Sequence, residues 1–599
     1  MKNQDSRLLV IPYYLDESYL EYVRNCSCDI LAISLPAIQQ LDSEKIRYLT
    51  IGNIISQKDY DIHLSKLTKS LAEFLIACDT ESRHQFSLER LFSSNGFWFL
   101  HRLSHLSFIQ ILINKLDDQY DQIEIYSKER NYLKENIQID FSKLHFPIDN
   151  LLGIDGLVES LMVGLETKIV QRNFIWKKTS NKLLNESAKD FFKRSPEIII
   201  RKSKELIKDS IRFINPRKKM FWTTYVSYDV ERLKNKRYDW TFIPIMKEQS
   251  AIANDCSAEN VSELREIIYP LSNNFIMTWI PSFSSIFQRI VDEYVKNILS
   301  RIPNVRIEIL KKINDYQPEA IFFSTGIQNI LQEAIANVAN ENKVPIYSLK
   351  HTGIEHLFFR PQYIDPYYDY NLDIKRTQFL INESELEVFN NSKNVRAIVS
   401  GNLKPKGIKT KSSSRKSKKI IYSVGQPDHS TFHFYHCLLN DYDRHIWTKN
   451  LLKSIKINKL NLDVKIHPVE WQIYKQYFEN MLLKERLSET ECKLITGGSI
   501  ERILKDYDLL ILDLVPTQVL SAALSMGMNI ILFKQPNHFI NENTYGDFED
   551  RVHIVSDFNQ LHQKLKLFRE GNLEEKSSVE FDEKYLTSNS EVFCIIDQQ

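Results

Sequence analysis

Residues 508–518 read DLLILDLVPTQ and residues 462–470 read LDVKIHPVE. Each is a short apolar run that stops on polar residues, the pattern of a parallel strand buried on both faces whose C-terminal end delivers side chains to one edge of a sheet. In an open α/β sheet that edge is the ligand crevice, because loops and helix N-termini line it. The expected ligand there is a nucleotide phosphate. Working outward, KKIIYSVGQPD (418–428), CKLITGG (492–498) and NIILF (529–533) supply three more strands separated by helical stretches, which makes residues 421–599 a doubly wound lobe.

Upstream, RLLVIPY (7–13), DILAISLP (29–36) and QIEIYS (122–127) read as strands, so the chain also begins as α/β. Residues 318–353 then give a strand, AIFFST, a helix, IQNILQEAIANVANEN, and a strand, VPIYSLKHTG, which together form one parallel crossover unit. The expected organisation is an N-terminal lobe over 1–400 with a helical insertion at about 155–315, a basic Ser-rich linker over 401–420, and the C-terminal lobe. Within 155–240 the text is charged and aromatic, and it places no strand.

With 599 residues the chain exceeds one ordinary core, and 43% apolar and 26% charged residues fit a folded soluble protein. No apolar run is long enough to cross a bilayer and the N-terminus lacks a secretory pattern, so the expected location is the cytoplasm. Lys plus Arg number 78 against 77 Asp plus Glu, a balance that argues against a nucleic-acid partner. Two basic clusters stand out locally, 404–419 and IRKSKELIKDSIRFINPRKKMFW (200–222). The second has helical spacing suited either to a solvated face or to peripheral contact with the anionic inner face of a membrane. Seven scattered cysteines suggest neither a disulfide framework nor zinc, and Cys26 and Cys28 are expected as buried thiols.

Candidate site residues follow from the strand ends. Pro468 holds His467 extended, where its imidazole either donates to a phosphate oxygen or simply satisfies the strand terminus, and Lys465 shares its strand face. Thr517 and Gln518 open an apolar helix, so the hydroxyl serves as a cap or as part of an anion site. Asp513 is placed either to accept from a ribose or sugar hydroxyl or to cap the same helix. Ser499, after Gly497 and Gly498, starts a third loop on this edge. The chain has no GxxxxGK[ST] loop, no GxGxxG fingerprint and no metal-ligand cluster, so neither a cofactor nor a metal is expected. Across the gap, His351 and Glu355 follow a buried strand and are candidates to take the proton from an acceptor hydroxyl.

Taken in order, these pieces resemble bacterial surface-polysaccharide transferases of GT-B architecture, a group that includes capsule Kdo and sialic-acid transferases and CDP-glycerol glycerophosphotransferases. The resemblance runs from about residue 318 to 535. Residues 320–353 look like the passage that ends in a His-Gly signature, VSGNLKPKG (399–407) like the close of the first lobe, KIHP like the His-Pro motif, and 508–533 like the late hydroxyl-rich helix.

The resemblance implies two facing Rossmann-like lobes and a metal-independent glycosyltransferase. Its partners would be a nucleotide-sugar donor, with CMP or CDP favoured, and a glycan or lipid-linked glycan acceptor. His467 and Thr517 are carried over as donor-phosphate ligands. Where many members carry Glu the chain has Ala522, and Thr352 separates His351 from Gly353. These departures keep open a silent scaffold of a polysaccharide-synthesis complex, alongside a nucleotide-sugar epimerase of the same fold.

Overall fold

The protein is described by a computed structural model. It describes residues 6–86, 96–128, 154–165, 169–174, 220–223, 239–242, 258–285, 287–288, 291, 302–323, 327, 330–349, 357–358, 374–389, 394–400, 418–424, 432–433, 437–438, 441–466, 471–488, 491–496, 500–513, 518–534, 540–586 and 592.

Three parallel sheets organise these residues. The first joins β1 (Arg7–Ile11), β2 (Asp29–Ala32), β3 (Leu49–Thr50), β4 (Gln122–Lys128) and β5 (Ile169–Phe174) in the order β3-β2-β1-β4-β5. The second joins β6 (Met220–Thr223), β7 (Asp239–Phe242), β8 (Ala320–Phe323), β9 (Ile346–Leu349), β10 (Arg376–Leu380) and β11 (Val395–Val399) in the order β11-β10-β9-β8-β6-β7. β12 (Lys419–Ser423) opens the third part of the chain, followed by a short antiparallel pair, β13 (Phe432–His433) and β14 (Cys437–Leu438). The third sheet runs β16-β15-β12-β17-β18-β19, with β15 at Asn461–Lys465, β16 at Cys492–Ile495, β17 at Leu509–Leu512, β18 at Asn529–Phe533 and β19 at His553–Val555.

The doubly wound α/β architecture expected from the sequence is therefore what the protein has. Among the described residues, those before 400 carry two sheets. β5, β6 and β7 lie in or beside the stretch where no strand was expected, and β19 is a sixth strand beyond the five expected after residue 418. β8 and β9 are parallel neighbours, as the crossover unit required.

Helices cover the sheets. α1 (Glu17–Asn25) starts on Asp16, whose carboxylate accepts from the Tyr19 amide at 2.9 Å, and α2 (Leu35–Ser43) starts on Ser34, which accepts from the Ala37 amide. Both caps satisfy donors that the first helical turn leaves unpaired. The helices α3 (Gln57–Phe86), α4 (Gly96–Gln119), α5 (Ala258–Trp279), α6 (Ile302–Tyr316) and α7 (Ile330–Glu341) bring the first two sheets into one hydrophobic cluster running from Leu8 to Ile374, within which Phe74 stacks on Phe275 with ring centroids 5.2 Å apart.

The third sheet buries both faces, as the unbroken apolar runs of its strands require. One face, with Ile420, Tyr422, Val464 and Ile511, packs on α8 (Asp441–Ile457), α9 (Trp471–Glu485) and α13 (Phe558–Glu570). The other, with Ile421, Leu510 and Leu512, packs on α11 (Gln518–Ser525), α12 (Glu542–Arg551) and α14 (Val579–Tyr585).

Cys26 and Cys28, expected as buried thiols, are only half-buried and form a disulfide between the end of α1 and the start of β2. Cys78 and Cys492 are buried free thiols.

Candidate functional site

Numbering the third sheet by order of appearance, with the antiparallel pair set aside, gives 3-2-1-4-5-6, the arrangement of dinucleotide-binding sheets. The chain crosses from one side of β12 to the other between β16 and β17. That reversal opens a crevice above the C-terminal end of β12, between β15 and β17.

The residues at this edge are fixed by register. Ser423 pairs with Lys465 on β15 and with Leu512 on β17, so the three share one rung and one face. This is the face of Ile421 and Leu510, over which Leu520, Ala523 and Leu524 of α11 pack. The cation at the end of β15 and the helix that follows β17 thus lie on the same side of the sheet.

Lys465 is only 6% exposed. Its Nζ donates to the Ile466 carbonyl at 3.1 Å, and among the described residues no carboxylate pairs with it. Burial pulls its pKa below that of an ordinary lysine. An ammonium held in this way gains from an anion entering the crevice, because a phosphate supplies both the missing charge and acceptor oxygens.

The neighbouring rung faces the other way. Tyr422 is fully buried, with its ring edge against Phe478 of α9, and its hydroxyl donates to Asp513 Oδ2 at 2.7 Å. Asp513 directly follows β17 and is 0% exposed. Arg444, in the first turn of α8, brings Nε to 3.7 Å from the same Oδ2. Burial, first, and the neighbouring carboxylate, second, drive the Tyr422 phenol well above its ordinary pKa. It therefore acts as a fixed donor. Sequence reading missed Tyr422 and Arg444; the only signal was the polar finish of the run KKIIYS, and nothing in DYDRHIW singles out its arginine.

Of the residues expected at the site, the structure brings Lys465 and Asp513 to the ends of strands that flank β12. Gln518 is the first residue of α11. His467, Thr517 and Ser499 lie outside the described residues, two positions past the end of β15, immediately before α11 and immediately before α10 (Ile500–Leu504), respectively. His351 and Glu355 also lie outside them, between the end of β9 and Leu357.

Leu357 and Phe358 belong to the core of the third sheet, where Phe358 packs edge-on to Phe548, and the Leu357 carbonyl accepts from the Asn541 amide at 2.8 Å. Leu357 and Phe358, which follow β9 in the chain, thus pack on the third sheet and touch Asn541, which follows β18.

Among the described residues no three His, Cys, Asp or Glu side chains cluster as a metal site requires. Among them, too, no helix is long and apolar enough to cross a membrane.

No protein-family model matches the chain, and no curated protein matches it. Solved structures do. A UDP-GlcNAc 2-epimerase from Methanocaldococcus jannaschii is 13% identical, with a TM-score of 0.37, over 64% of this chain and 99% of that one. Staphylococcus aureus MnaA, solved with UDP, is 11% identical with a TM-score of 0.35, over 62% of this chain and 92% of that one. Acinetobacter baumannii MurG is 9% identical with a TM-score of 0.34, over 64% and 100%.

Proposed function

We propose that the protein is a glycosyltransferase of bacterial surface-polysaccharide synthesis that takes a sugar or polyol phosphate from a nucleotide-activated donor, with CMP or CDP favoured. The observation that supports this most directly is Lys465, a buried cation at the crevice edge of a sheet with dinucleotide-binding strand order. In this reading Lys465, His467, Thr517, Gln518 and Ser499 gather around the donor phosphates. Their hydrogen bonds, with the N-terminus of α11, stabilise the leaving nucleotide as its charge grows. Asp513 serves the same site from the next rung.

The acceptor, a glycan or lipid-linked glycan, enters from the second sheet, and Glu355 or His351 removes the proton of its hydroxyl. The 200–222 cluster holds the protein against the anionic inner face of the membrane that carries the acceptor. Protein cations take the place of a metal, so turnover is expected to persist in EDTA.

The test is a thermal-shift screen with CMP, CDP and UDP, free and as sugar conjugates. A ligand at a hundred times its Kd is expected to stabilise the protein by about 2.7 kcal/mol. Lys465→Met and His467→Ala should each weaken the affinity about tenfold or more, the scale of one lost hydrogen bond to a charged group, which cuts that stabilisation to about 1.4 kcal/mol or less at the same ligand concentration. Failure of every nucleotide to bind leaves a scaffold as the surviving reading. Binding followed by conversion of a labelled UDP-sugar without an acceptor identifies an epimerase.

A further inference from the structure

We infer that Tyr422, Arg444 and Asp513 form a positioning cluster that sets the start of the connection from β17 to α11, and through it the nucleotide site. The inference rests on the reading of that site given above.

The geometry is specific. Asp513 is the last described residue before the connection 514–517, which carries Thr517 and leads into α11. Its Oδ2 is reached from two other elements, by the Tyr422 hydroxyl at 2.7 Å from β12 and by Arg444 Nε at 3.7 Å from α8. Tyr422 immediately precedes Ser423, the residue whose rung contains Lys465. The cluster therefore ties together the strand beneath the crevice, the strand that opens the phosphate-side connection, and the helix that follows the loop after β12.

Bulk packing does not account for the polar choice. Phenylalanine would fill the space of Tyr422 against Phe478, and an ion pair with no exposed side chain gives little net stability over apolar residues of similar size. What a buried, hydrogen-bonded carboxylate supplies is direction. It holds the backbone at 513 in one orientation, and misplacing a neighbouring ligand by about 1 Å costs about a hundredfold in rate. The side chains of this cluster point to the opposite face of the sheet from Lys465, so they act through the backbone and α11 and need not touch the nucleotide.

The experiment uses the full-length chain with UDP and CDP as probes, measuring Kd by calorimetry and Tm in the absence of nucleotide. Tyr422→Phe removes one hydroxyl and keeps the ring. Its Tm is expected to stay within a few degrees of wild type, while its Kd weakens about tenfold, within the range by which a residue outside a site changes affinity through coupling. Arg444→Lys is expected to bind more tightly than Arg444→Ala at matched Tm, a rescue that a purely structural role would not give.

If wild type binds neither nucleotide, the site reading fails. If wild type binds and Tyr422→Phe binds equally well, the positioning inference alone fails. Asp513→Asn is the harsher variant; should it not fold, the Tyr422 and Arg444 variants carry the decision. Loss of fold in all of them would make the cluster structural and overturn the inference.

Discussion

At the residue scale, the informative side chains are those whose burial conflicts with their polarity. His553 is 1% exposed, its Nε2 donates to the Glu574 carbonyl at 3.0 Å, and burial lowers its pKa to about 4. The folded state thus holds a neutral imidazole that the unfolded chain protonates near 6.5. Between these two values the unfolded state binds more protons, so stability falls as pH falls from about 6.5 to 4. His63, lowered to about 4 for the same reason, adds to the slope. Melting curves from pH 7 to pH 4 are expected to show this decline, and His553→Gln, whose amide still donates, should flatten it. An unchanged slope would place the titrating group elsewhere. Lys465 and Asp513 were legible in the sequence because each ends an apolar run. Tyr422 and Arg444 were not, because their roles arise from meeting Asp513, 91 and 69 positions away. The Cys26–Cys28 disulfide was missed because reasoning from cysteine number and compartment is blind to local proximity.

At the element scale, α2 of the first sheet docks against α8 and α9 of the third. Gln39 donates from Nε2 to the Tyr477 carbonyl at 2.9 Å, Leu35 enters the third sheet's core, and Asp42 faces His445 at 3.4 Å, Lys449 at 3.0 Å and Lys484 at 3.2 Å. Hydrogen bonding with His445, and after it Lys449 and Lys484, holds the Asp42 carboxyl far below the usual carboxylate range against the opposing effect of burial. A depressed acid contributes stability that is complete above the unfolded value near 3.9 and is lost as pH falls through the folded value. Asp42→Ala removes the shared partner of three cationic or imidazole groups. The half-open setting and salt screening reduce the expected cost to about 1–2 kcal/mol, measured by urea unfolding at neutral pH. The difference from wild type is expected to shrink in 1 M salt. The strands of the third sheet could be read because each is an apolar run bounded by polar text. β5, β6 and β7 could not, because IVQRNF and DWTF mix charge with aromatics, MFWT is four residues long directly after RKK, and none shows a long apolar run or strict alternation.

At the scale of the whole molecule, the described residues before 400 carry two sheets, and the long helices between β3 and β4 hid from the sequence that β4 returns to pair with β1. The first two sheets share one core, and contacts from α14 help to hold the third sheet to them. Phe581 and Tyr585 of α14 are each 1% exposed in the core shared with Leu357 and Phe358, and the Tyr585 carbonyl accepts from Asn382 Nδ2 at 2.9 Å. α14 therefore fastens the segment after β10 to the third sheet. Phe581→Ala leaves a cavity where second-sheet and third-sheet residues meet, and the expected cost is about 3–5 kcal/mol. The pattern of the loss is more telling than its size. Hydrogen exchange is expected to accelerate in α14, α12 and residues 357–358, while the opposite face of the third sheet, where Trp447 stacks on Phe533 with centroids 4.0 Å apart, keeps its protection. Uniform acceleration across both faces would mean that α14 supports the whole lobe, not the junction between sheets.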